Sequence, residues 1–126
     1  MLKKAAAILV LGHGLIHGMG FIVQFQFAEV PELTYTTSVL GGTIEIGTIG
    51  AQVLGGAWLA AAIAFSISAF ALFFKKPWSR TAILWTTLFS LPITVLGWPE
   101  SHFGIWVNIL ILLVLLFEGR VVRRNA

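Results

Sequence analysis

Two histidines one helical turn apart, His13 and His17, stand inside an otherwise uncharged apolar run. Positions i and i+4 share a helix face, so the pair could hold one metal ion, as paired histidines do in zinc-protease helices. In that motif a glutamate follows the first histidine; here the position is Gly14. No third ligand stands at a fixed spacing, so Glu45 or His102 would have to arrive through folding. Haem is the other group the pair could serve. Its axial ligands approach from opposite sides of the iron, so one pair on one helix would need a second helix or a second copy of the chain. The alternative to both is a pair of buried, hydrogen-bonded histidines.

The remaining polar residues within apolar runs fall at helical spacings. Gln24 shares the face of His13 and His17; Glu45, Gln52 and Ser66 follow one another on the second run if its helix starts early enough; Thr87, Ser90 and Thr94 form a stripe on the third; Asn108 stands on the fourth. Polar groups in hydrocarbon normally face a bundle interior. With a rise of about 1.5 Å per residue, His17, Gln24, Gln52 and Asn108 fall in the outer half of their helices, with Glu45, Glu100 and His102 above them and Trp98 at the boundary. The expected ligand site is therefore His17, Gln24, Glu45, Gln52, Trp98 and Asn108. Within it, His17, Gln52 and Asn108 are expected in one connected cluster. The competing reading is interhelical hydrogen bonding, worth about 0.6 kcal/mol per pair.

Catalytic machinery is not legible. There is no Ser–His–acid spacing, no phosphate-binding loop and no pair of buried carboxylates, and the absence of cysteine excludes thiolate chemistry and disulfides. No catalytic residue is expected, and a binding protein is favoured over an enzyme.

The elements that must position these residues are set by composition. Of 126 residues, 58% are hydrophobic and only 10% charged, with a mean hydropathy of +0.95. A soluble domain carries about a quarter charged residues, so lipid must be part of the solvent. Four runs suit spans of about 20 residues, near residues 5–27, 46–74, 81–98 and 103–119. Their unbroken apolar character argues for helices and against the short alternating strands of a barrel. The expected fold is all-α, a single four-helix transmembrane bundle.

All eight Lys and Arg residues lie in three patches, at Lys3–Lys4, Lys75–Arg80 and Arg120–Arg124. With both termini cytoplasmic, every one of them falls inside and the outer loops hold only glutamates, an extreme positive-inside bias. The location expected is the inner, or plasma, membrane, with the lipid bilayer as partner together with a membrane protein or a second copy of the chain. A basic pI near 9.8 does not indicate nucleic acid, which needs a continuous basic face.

Three features connect the spans. The loop from Ala28 to Glu45 is long and carries Pro31, a Thr/Ser cluster and Gly41–Gly42, which suits a lid or short interfacial helix over the outer mouth. Gly14 and Gly18 form a small-residue seam, for which Gly55–Gly56 is the natural partner. Trp58 sits too deep for an interfacial belt.

The stretches HGLIHGMGF (His13–Phe21), PELT (Pro31–Thr34) and FGIWVNILILLVLL (Phe103–Leu116) resemble a group of small bacterial and archaeal four-helix membrane proteins, some labelled transporter permeases. That resemblance implies a four-helix bundle and no known activity. The length and IEIGTIGAQVLGGAWL (Ile44–Leu59) are also similar to the DoxX family, which implies an association with membrane redox and sulfur metabolism. Two functions are thus expected as alternatives: binding of a small hydrophobic ligand or service as an accessory subunit of a membrane complex, and a redox-associated, metal- or haem-binding component of a membrane enzyme.

Overall fold

In lipid or out of it, an apolar run satisfies its own backbone most simply as a helix, and the chain does so four times. The computed structural model describes residues 2–125. The helices are α1 (Leu2–Gln24), α2 (Gly47–Phe73), α3 (Ser79–Leu96) and α4 (His102–Arg124), all long and apolar enough to cross a membrane. Against the expected spans, α1 and α4 run further into their basic ends, because lysine and arginine are good helix formers and do not terminate a helix. At the opposite end α1 stops at Gln24, and Gln26 turns the chain with φ 57. The end that carries the Ala28–Glu45 loop is called the loop end below.

The tightest contact is the antiparallel seam between α1 and α2. A Cβ on Gly14 would stand 2.5 Å from the Cβ of Phe65, and one on Gly55 would stand 2.9 Å from the Cβ of Gln24. The seam therefore matches Gly14 with Ala62 and Phe65, and Gly55 with Gln24 and Phe25. Gly55–Gly56 does not pair with Gly14–Gly18 as the sequence suggested: in an antiparallel pair those positions lie several turns apart, and Gly56 has open space beside it.

Phe65 is fully buried and forms the apolar centre with Val10 and Ala69, against which Leu11 and Ile111 pack. Polar links add to this. Thr86 on α3 donates to the Ser68 hydroxyl on α2 at 3.3 Å, Ser68 having given its own proton to the Ala64 carbonyl at 2.8 Å. The Arg80 guanidinium of α3 donates to the Leu115 carbonyl of α4, passing over Gly119. α4 itself buries only Asn108 and Leu115.

The long connection folds into a small antiparallel hairpin rather than a helix. Strand β1 (Ser38–Val39) pairs with β2 (Ile44–Glu45), matching Ser38 with Glu45 and Val39 with Ile44. Its turn needs left-handed backbone at Leu40, Gly41 and Gly42, which glycine adopts without a steric penalty. The tip is fastened to the bundle: the Leu40 amide donates to the Leu96 carbonyl at 2.9 Å, and Gly41 lies against Pro99.

Candidate functional site

Behind the hairpin, α1, α3 and α4 contribute five polar side chains to one buried cluster. His17 and Asn108 are 2% and 0% exposed, and Ser90 and Thr94 are fully buried. The His17 Nδ1–H donates to the His13 backbone carbonyl at 2.9 Å. Ser90 Oγ–H donates to His17 Nε2 at 2.6 Å. Asn108 Nδ2–H donates to Ser90 Oγ at 2.9 Å and to Thr94 Oγ1 at 3.3 Å. Finally, His13 Nε2–H donates to Asn108 Oδ1 at 3.0 Å. The chain of donors thus leaves the His13 ring and ends on the His13 carbonyl. Thr94 disposes of its own proton within α3, on the Leu91 carbonyl at 2.8 Å.

Each member is placed by simple local geometry. His13 and His17 share a face of α1, and Ser90 and Thr94 one face of α3. Gly104 lets α4 approach α3 closely, since a Cβ there would meet Thr94 Cγ2 at 2.8 Å. Ser90, Asn108 and His17 are six or seven residues from the loop-end termini of their helices, which is a depth of about 10 Å.

Between this cluster and the hairpin lies a cavity of about 930 Å³. Its floor and walls include His13, His17, Gly20, Trp58, Thr94 and Val107, and its mouth includes Glu32, Tyr35, Trp98 and Glu100. Trp58 crosses the space, 5.1 Å from the His17 ring centroid. The hairpin residues Ser38 to Gly42 close part of the mouth. A largely apolar cavity of this size with a few convergent polar groups has the form of a small-molecule site.

Of the residues expected at the site, His17, Gln24 and Trp98 line this cavity and Asn108 lies directly behind it. Gln24 is buried and donates to the Thr36 carbonyl, tying α1 to the loop. Two expectations are corrected. Gln52 is exposed and takes no part in the cluster, because the inward face of α2 is taken by Ala51, Gly55, Ala62 and Phe65. Glu45 is also exposed, and its carboxylate accepts the Gly47 amide at the start of α2 instead of reaching inward.

The metal expectation for His13 and His17 finds no third ligand: among the described residues no three His, Cys, Asp or Glu side chains gather. His102 turns its Nδ1–H to the Pro99 carbonyl. Both ring nitrogens of His17 are engaged by protein groups, so ligation by it would require breaking the cluster. Trp58, Ser90 and Thr94 matter more than the sequence indicated. The signal for Ser90 and Thr94 was their stripe on α3; for Trp58 it was its unusual depth.

No protein family, curated protein or solved structure matches the chain.

Proposed function

We propose that the chain is a multi-pass protein of the inner or plasma membrane, both termini cytoplasmic, whose bundle takes up a small hydrophobic ligand through its outer, loop end. Four apolar helices support membrane insertion. The confinement of all eight Lys and Arg residues to the other end supports the orientation. The observation that carries the binding reading is the cavity of about 930 Å³ between the His13–Asn108 cluster and the hairpin. A bundle held together only by interhelical hydrogen bonds would have no reason to keep such a space beneath a fastened cover.

The test is to extract the protein purified from native membranes and analyse the extract by mass spectrometry, beside a Val107→Trp variant that narrows the cavity. A small hydrophobic compound enriched with the wild type and lost with the variant is the expected result. Identical extracts would overturn the reading.

A further inference from the structure

The hydrogen-bond cluster fixes which polar group the cavity offers its occupant. A backbone carbonyl can only accept, so the His17 Nδ1 facing the His13 carbonyl carries the proton. In the neutral ring Nε2 is then an acceptor, and Ser90 must spend its hydroxyl proton there. Ser90 Oγ can therefore only accept from Asn108, which turns the amide NH₂ toward Ser90 and Thr94 and the amide oxygen toward His13. That oxygen needs a donor, so His13 holds its proton on Nε2. What remains is the His13 Nδ1 lone pair.

This nitrogen has no hydrogen-bond partner among the described residues, although the His13 side chain is 93% buried by its 7% exposure. It is not sealed in either, since no fully buried side-chain nitrogen or oxygen among the described residues is left unpaired, and His13 lines the cavity. This leaves an occupant one hydrogen-bond acceptor on a side chain that lines the cavity. Charge narrows the occupant further. No Lys or Arg lines the cavity, while Glu32 and Glu100 stand at its mouth, so an anionic group finds repulsion on entry and no counter-charge inside. A cation finds no carboxylate at the deep end.

We infer that the cavity binds an uncharged apolar molecule bearing a hydroxyl, an alcohol or phenol, whose O–H donates to His13 Nδ1. This rests on the reading of the cavity as a ligand site and adds the chemical class. Because His13's tautomer is dictated through three other side chains, an ether of the same skeleton offers the site two acceptors facing each other.

The experiment uses the full chain in lipid nanodiscs and three probes: para-octylphenol, its methyl ether and para-octylbenzoate. Binding is read from the tryptophan fluorescence change that Trp58→Phe removes. The phenol should bind, and the ether should bind about tenfold more weakly, the scale of one hydrogen bond plus an unpaired acceptor; the benzoate should be weaker than the phenol. His13→Phe keeps a ring of similar size but has no nitrogen to accept from the probe, so phenol and ether should converge. In wild-type protein labelled with nitrogen-15 histidine, the His13 Nδ1 resonance should move on adding phenol and stay put with ether. Equal binding of phenol and ether, or preference for the benzoate, overturns the inference while leaving the cavity a ligand site. Failure of all three probes overturns both.

Discussion

Trp58 lies over the imidazole of His17 with ring centroids 5.1 Å apart, and it can do so only because two glycines make room. A Cβ on Gly20 would stand 2.7 Å from the indole Cγ, and one on Gly97 would stand 3.2 Å from its Cζ2. One tryptophan on α2 is thereby seated against α1, against the end of α3 and across the cavity. Gly20→Val should push the indole out of this notch. The expected outcome is a red-shifted Trp58 emission, obtained as the difference from a Trp58→Phe background, together with weaker probe binding and an unchanged helical signal. An unshifted emission would show that the ring is not held there.

Asn108→Ala removes the acceptor of His13 and the donor shared by Ser90 and Thr94. It should destabilise the bundle by about 1–2 kcal/mol, since single polar contacts in membranes are individually small but several groups lose partners at once. Gln52→Ala, in the exposed position, should change stability by less than about 0.5 kcal/mol. Unfolding in mixed micelles measures both. Equal effects would mean that the two side chains are not placed as described.

The chain has no cysteine, so single cysteines can map its topology without background. Cysteines at Tyr35 and Glu100 should react with an impermeant thiol reagent in intact cells, and cysteines at Lys76 and Arg124 only after lysis. The reverse pattern would invert the proposed orientation and put the cavity mouth in the cytoplasm.

Gly41→Val places a β-branched residue at φ +65, where L-residues lose about 1–2 kcal/mol. The turn should loosen, and the Leu40 amide, now bonded to the Leu96 carbonyl at 2.9 Å, should exchange with solvent faster. Amides in the middle of α2 should keep their protection. Unchanged exchange at Leu40 would show that the hairpin tip is not fastened through this bond.

How far the sequence could be read depended on whether a residue's direction follows from its own helix. The helices follow from the length of their apolar runs. His13, His17 and Gln24 declare a face of α1, and Ser90 with Thr94 a face of α3, because polar residues interrupt an apolar helix at spacings that have one geometric meaning. α2 gives no such bearing. Between Gly50 and Ala64 every residue but Gln52 is small or apolar, so its rotation is set by which glycines and alanines meet α1, a tertiary fact, and a lone glutamine does not declare a side. The hairpin was equally hidden. It has two residues in each strand, too few for an alternation, and it is held by a carbonyl at the far end of α3.

The sparse burial of α4 has a consequence for how the molecule is built. In the bilayer proposed for this chain, lipid rewards no helix for shedding its apolar surface onto another, so association depends on close packing and on polar bonds. α1 and α2 have the first, through the glycine seam, and can join as a unit as soon as both are made. α4 has mainly the second: Asn108 clasps His13, Ser90 and Thr94 near one end, and the Leu115 carbonyl takes the Arg80 guanidinium near the other. Made after the other three, it arrives at helices whose buried hydroxyls and imidazole still lack their final partner, and its docking completes them. Synthesised as a separate polypeptide, α4 should therefore find its place beside the first three helices only while Asn108 is intact, like a key whose single cut decides whether it turns.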